Sequence, residues 1–151
     1  MRYQPSASLK LLLVLLMIAL LSACSGGAGQ TESTTEGLKM ASLDGMPAEV
    51  LAAPAQVKQA YQFAAANPDV MQQVPCYCGC GDMGHTSNYA CYVNGKNADG
   101  TILFDTHALG CSICVDITLD TMRLLKEGKN VPEIKAYIDQ TYAQYGPSNM
   151  P

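Results

Sequence analysis

Three cysteines alternate with single residues in Pro75-Cys76-Tyr77-Cys78-Gly79-Cys80-Gly81, and thiols set this close together oxidise, exchange or capture metals. In extended backbone Cys76, Cys78 and Cys80 share one face, because alternate residues point the same way. The glycines disfavour a regular strand and favour a tight loop that aims three sulfurs at a common point. At that point lies either a metal ion or partner cysteines. Cys91, Cys111 and Cys114 follow, and the only two histidines of the chain, His85 and His107, sit among them, all within about forty residues. Cys111-Ser112-Ile113-Cys114 with His107 one turn earlier is a spacing that metals use repeatedly on helices.

Eight soft or borderline donors suit two four-coordinate zinc sites or a polynuclear Cu(I)–thiolate site. The triplet suits Cu(I) better, since two- and three-coordinate Cu(I) tolerates bridging thiolates. Three alternate residues would strain a short backbone around one tetrahedral zinc. The expected metal is therefore Cu(I), with zinc next, and the expected ligands are Cys76, Cys78, Cys80, Cys111 and Cys114, then His107, Cys91 and His85. A disulfide framework competes, because six cysteines in an exported domain allow 15 connectivities. Bridging within Cys-x-Cys closes a strained ring, so each triplet member would pair with one of Cys91, Cys111 and Cys114, leaving about six pairings. A domain near 100 residues does not need three such staples. On either reading the sulfurs of Cys111 and Cys114 should approach the triplet within about 8 Å.

A third reading is a thiol–disulfide oxidoreductase working through Cys111 and Cys114. No strand–helix–strand context of the thioredoxin kind surrounds that pair. Val115 occupies the place of the histidine that a c-type haem needs, and the triplet does not have ferredoxin spacing. Met83 is expected to pack rather than ligate, Asp105 to cap a helix, and Tyr77, Tyr89 and Tyr92 to cover the cluster. His85, in a polar loop, is drawn to the site only by its neighbours. No Ser-His-Asp set, phosphate loop or catalytic carboxylate pair is visible, and every donor is committed, so an enzyme is not expected.

The elements that position these residues read as mainly helical. Pro47–Ala53 and Ala55–Ala66 have helical character, broken by Pro54, with Val57, Ala60, Tyr61 and Ala64 on the apolar face and Lys58, Gln59 and Gln62 outward. A short helix from Pro68 to Gln73 follows, and Pro75 forces the chain extended into the triplet. Tyr89–Val93 and Thr101–Phe104 are strand-like, with Asn94-Gly95 and Asp99-Gly100 between them, which predicts a hairpin. Asp105 opens a predicted helix that ends at Glu127-Gly128. On a 100° wheel Ser112, Asp116, Asp120, Arg123 and Glu127 form its solvated face, while His107, Cys111, Cys114, Thr118, Thr121 and Leu125 line the buried centre. Asn130 and Glu133 open a last helix to Tyr145, with Val131, Ile134, Ile138, Thr141, Tyr142 and Tyr145 inward. The fold class is mainly α: a small helical domain over residues 46–147 with a short β-hairpin and a cysteine-rich loop.

Ahead of it, Arg2 and Lys10 precede an apolar run, Leu11–Leu21, and a small-residue cleavage site, Ser22-Ala23-Cys24. This reads as a signal peptide over residues 1–23, too short for a membrane span. Leu21-Ser22-Ala23-Cys24 resembles the bacterial lipobox, which implies acylation of Cys24 and cleavage before it. Polar, glycine-rich residues 24–45 read as a tether. Without residues 1–23 the chain keeps seven basic against thirteen acidic side chains, a net −6. That charge excludes nucleic acid as an expected partner and leaves membrane attachment to the lipid on Cys24. The expectation is a protein at the extracytoplasmic face of the cell membrane, passing metal to a membrane protein partner.

Val74–Gly81, His85, Cys91-Tyr92-Val93 and Phe104-Asp105-x-His107-x3-Cys111-x2-Cys114-Val115-Asp116-Ile117 together resemble the PCYCGC-motif lipoproteins of Gram-positive bacteria. The likeness spans roughly Pro47 to Tyr145. It implies an exported lipoprotein of unassigned function, of a kind associated with metal binding; it supports the localisation and says little about the chemistry.

Overall fold

The computed structural model describes residues 37–151. The signal peptide, Cys24 and most of the tether lie outside them. Among the described residues no helix is long and apolar enough to cross a membrane. The elements are α1 (Ala48–Ala52), α2 (Ala55–Ala66), α3 (Pro68–Met71), β1 (Val93–Lys96), β2 (Ile102–Phe104), α4 (Ser112–Lys126) and α5 (Val131–Tyr142). The fold is thus mainly α with one antiparallel hairpin, as the periodicities predict.

Helix α4 packs against both α2 and α5. Val50, Tyr61, Phe63, Met71, Ile117, Ile134 and Ile138 are fully buried between them. Each such side chain contributes about 1.5–3 kcal/mol by leaving water, so this layer carries the fold. On the outer face of α4 Ser112, Asp116, Arg123 and Glu127 are exposed as expected, while Asp120 is half-buried and accepts from the Tyr142 hydroxyl at 2.8 Å. Its C-terminus closes in a Schellman arrangement: the Lys129 N–H donates to the Leu124 carbonyl and the Gly128 N–H to that of Leu125, each at 3.0 Å. Helix α5 starts in a capping box, with Asn130 Oδ1 accepting from the Glu133 N–H at 3.0 Å and Glu133 Oε2 from the Asn130 N–H at 2.9 Å.

Several expectations are corrected. The helix predicted from Asp105 is interrupted: His107–Leu109 forms one 3-10 turn, and α4 begins only after Cys111, whose φ −125° and ψ 101° are extended. Tyr89–Cys91 is a 3-10 turn rather than strand. Asn94-Gly95 is not the hairpin turn but an irregularity inside β1, between Val93↔Phe104 and Gly95↔Leu103; the turn is Asn97–Gly100. Gln59 is buried rather than outward, and Phe63, absent from the predicted stripe, is fully buried, because α2 is covered on more than one side. Tyr145 falls in a 3-10 turn after α5 and is exposed. The chain is also held to the core earlier than the predicted tether end. Leu38, Met40, Ala41 and Leu43 pack on it, and Ala41 exchanges hydrogen bonds with Gln62, whose side chain donates to the Ala41 carbonyl at 2.9 Å.

Candidate metal centre

The cysteine loop is fixed at both ends. Val74 is buried, and its carbonyl accepts the Asn88 N–H at 2.8 Å. Gly79 turns the chain between Cys78 and Cys80 at φ 83°, a left-handed conformation that a side chain disfavours, and Cys80–Met83 continues as a 3-10 turn. Cys76 and Cys80 are buried and Cys78 is half-buried.

The hairpin delivers the second group. The Asp105 N–H donates to the Tyr92 carbonyl at 2.8 Å, which sets Cys91 on one strand entry beside Asp105 and His107 on the other exit. Helix α4 delivers the third, with Cys111 at its N-cap and Cys114 in its first turn. Thiolates at that end gain from the unpaired N–H groups and the helix dipole. The Cys114 carbonyl accepts from Tyr92 Oη at 2.8 Å, Thr118 Oγ1 at 3.0 Å and Asn88 Nδ2 at 3.3 Å, all three side chains being fully buried. This network locks the first turn of α4 onto the loop.

The sulfurs converge. Cys76 Sγ lies 3.4 Å from Cys78 Sγ and 3.4 Å from Cys114 Sγ, and Cys78 Sγ is 3.6 Å from Cys114 Sγ. Cys80 Sγ and Cys91 Sγ are 3.6 Å apart, and His107 Nε2 is 3.4 Å from Cys78 Sγ. Cys111 stands within 4.8 Å of Cys78, His107 and Cys114, and Cys80, His85, Cys91 and His107 form a second group of the same span. Cys111 and Cys114 thus approach the triplet far inside the expected limit. A tetrahedral ion with metal–sulfur bonds of about 2.3 Å has a sulfur–sulfur edge of about 3.8 Å, so small adjustments would seat one. All six cysteines among the described residues carry free thiols.

Electrostatically the cluster is asymmetric. Hydrogen bonds from the Cys114 and Cys91 thiols hold the Cys76 thiol well below its ordinary range, against the penalty of burial. Cys114 is pushed up by its hydrogen bond to Cys76, and Cys78 and Cys80 by burial first and then by the charge on Cys76. A cation seated among them would favour the ionised form of each thiol.

The expected single helical row His107-Cys111-Cys114 does not exist, since the 3-10 turn supplies His107 while α4 supplies Cys111 at its N-cap and Cys114 in its first turn. They meet nonetheless, because Gly110 and extended Cys111 fold the 3-10 turn back over the loop. Asp105 does not cap α4. Its Oδ1 accepts the His107 N–H at 2.7 Å and its Oδ2 faces His85 Nε2 at 3.5 Å. His85, expected at the surface but for its neighbours, is 9% exposed and its ring meets that of His107 edge-on at 5.1 Å. Met83 neither packs nor reaches the cluster's interior: it is exposed.

Sequence reasoning missed the C-terminal strap. Asn149 Oδ1 accepts the Cys76 N–H at 2.7 Å, the Asn149 N–H donates to the Cys76 carbonyl at 3.0 Å, and Asn149 Nδ2 reaches Cys80 Sγ at 3.4 Å. A Cβ on Gly146 would lie 2.9 Å from the Tyr77 carbonyl oxygen, so only glycine lets the strap lie this close. No pattern marks Asn149, which lies beyond the last periodic element.

No curated protein and no solved structure matches the chain. A family described as "Protein of unknown function with PCYCGC motif" matches residues 13–151, nearly the whole length. With the triplet, the His107–Cys114 segment and the strap all inside that match, this chain belongs to the PCYCGC-motif family.

Proposed function

We propose that this protein binds a thiophilic metal, Cu(I) in preference to zinc, and stores, buffers or passes it on rather than catalysing a reaction. The observation that supports this is the convergence of the Cys76, Cys78 and Cys114 sulfurs, 3.4, 3.4 and 3.6 Å apart, with Cys111 within 4.8 Å of Cys78 and Cys114. Soft thiolate sets select Cu(I), zinc or iron–sulfur clusters, and three close sulfurs suit Cu(I) in low coordination. Acylation at Cys24 would hold the site at the extracytoplasmic face of the membrane, where the natural recipient is a membrane protein. The test is anaerobic: fully reduced full-length protein is titrated with Cu(I) and Zn(II) against competing chelators. Retention of Cu(I) against a chelator that strips zinc is expected; fully reduced protein that retains neither metal overturns the reading.

A second reading keeps the disulfide framework, and the geometry narrows its pairings from six to one. Cys76 touches Cys114 at 3.4 Å and Cys80 touches Cys91 at 3.6 Å, which leaves Cys78 with Cys111, within 4.8 Å. Thiol counting in denaturant with and without chelator separates the two. Thiols that appear only on chelation support metal; none in either case, with those three pairs in a peptide map, supports the framework.

A further inference from the structure

Resting on the metal-binding reading, we infer that the eight donors divide into two centres of unlike chemistry: a thiolate pocket around Cys76, Cys78 and Cys114 with Cys111 beside it, and a Cys2His2 pocket of Cys80, Cys91, His85 and His107 that takes a zinc-like divalent ion.

The Cys2His2 pocket is built from its histidines outward. His85 is 9% exposed and its Nδ1 is buried without a hydrogen-bond partner, whereas Nε2 faces the Asp105 carboxylate at 3.5 Å. A carboxylate on one ring nitrogen holds the proton there and turns the other nitrogen, as a lone pair, toward a ligand. The donor atoms of Cys80, His85, Cys91 and His107 lie within 4.8 Å of one another, a group of tetrahedral size, and Nδ1 is the His85 nitrogen that no hydrogen bond occupies. Asp105 also fixes His107, by accepting its backbone N–H at 2.7 Å. One carboxylate therefore faces the His85 imidazole and anchors the backbone of His107, and Asp105 is a positioning residue for this centre.

The two groups adjoin, with Cys80 and Cys91 each within 4.8 Å of Cys76, and His107 stands in both, its Nε2 lying 3.4 Å from Cys78 Sγ. Coordination preference decides the allocation. Zinc in a closed site takes four ligands, and without His107 the second pocket offers three. The first pocket needs no imidazole: Cys76, Cys78 and Cys114 form a sulfur triangle with sides of 3.4, 3.4 and 3.6 Å, a set that three-coordinate Cu(I) fills. Giving His107 to the divalent ion satisfies both metals, and giving it to Cu(I) leaves the divalent ion short.

The test loads reduced full-length protein with Zn(II) and Cu(I) together and measures metal content and X-ray absorption at the zinc edge. The expected result is one zinc per chain with two sulfurs near 2.3 Å and two nitrogens near 2.0–2.1 Å, retained while Cu(I) binds. Asp105→Asn should weaken zinc about 10–100-fold with Cu(I) affinity unchanged, a split that a loss of fold could not produce. His85→Gln should lose zinc and keep Cu(I). A four-sulfur zinc shell, one-for-one displacement of zinc by Cu(I), or zinc affinity unaffected by either variant overturns the two-centre assignment while leaving metal binding intact. Absence of both metals instead defeats the underlying reading, and the two failures are told apart in the same experiment. The wild-type absorption measurement needs no variant to fold.

Discussion

Replacing Asn149 by alanine isolates the strap's contribution to the cysteine loop. The substitution removes two side-chain contacts, the 2.7 Å bond that accepts the Cys76 N–H and the 3.4 Å contact of Nδ2 with Cys80 Sγ. The backbone bond from Asn149 N–H to the Cys76 carbonyl is retained. Cys76 is 0% exposed, so its N–H is left buried without an acceptor, at about 1–3 kcal/mol, and the weak N–H···S contact adds little. A total of about 2 kcal/mol corresponds to a fall in Tm of about 8 °C, taking about 4 °C per kcal/mol for a domain of this size. The assay is thermal unfolding by circular dichroism in reductant and chelator, so that neither disulfides nor metal contribute. Asn149→Asp keeps the acceptor oxygen and should lose less than half as much. Exposed Lys126→Ala should sit within about 0.5 kcal/mol of wild type. A change of less than about 1 °C in Asn149→Ala would refute the clamp.

Gly146→Ala sets a Cβ 2.9 Å from the Tyr77 carbonyl oxygen, a backbone atom that cannot swing away. It should displace the strap, destabilise by an amount similar to Asn149→Ala, and add little to that variant in a double-mutant cycle. Asn130→Ala breaks the capping box of α5 and should cost about 1 kcal/mol in denaturant unfolding, leaving the cysteine loop's reactivity toward thiol reagents unchanged. Burial, then the Asp139 carboxylate, push the Tyr77 phenol up to about 12, and burial also raises Tyr61, Tyr92 and Tyr142 above 10.0. The folded state then holds protons that the unfolded chain releases, so this stability is complete below about pH 10 and is lost as pH rises toward 12 and beyond. The tyrosinate absorbance of these four phenols should rise in one cooperative step with loss of helix.

Helix α2 and the start of α5 were legible because local chemistry decides them. Pro54 and Asn67 bracket one, and Asn130, Pro132 and Glu133 write a capping box for the other. The gathering of the eight donors was also legible, since soft ligands at this density in one stretch point to one place. What spacing could not show is the break before α4. A wheel advanced by 100° from His107 treats Gly110 as one more helical residue, and tertiary packing of the 3-10 turn overrides that periodicity. Gly110 was the available signal. Asp105 has the right type and place for an N-cap, and only the fold brings His85 across to it. The strap had no signal, because its bonds run between residues 73 positions apart in a segment without repeat or motif.

Of the six cysteines among the described residues, Cys76, Cys80, Cys91 and Cys114 are buried, and Cys78 and Cys111 reach solvent in part. For a metal seated among these sulfurs, that makes the cluster one-sided: an incoming thiolate or thioether would replace Cys78 or Cys111 before a deeper sulfur loosens. Departure would then proceed by stepwise substitution at that rim, with a rate proportional to the concentration of the competitor, and not by spontaneous loss. A slim monodentate acceptor would empty the site faster than a bulky chelator of far greater affinity. The recipient would be selected by its shape at the rim before its avidity counted.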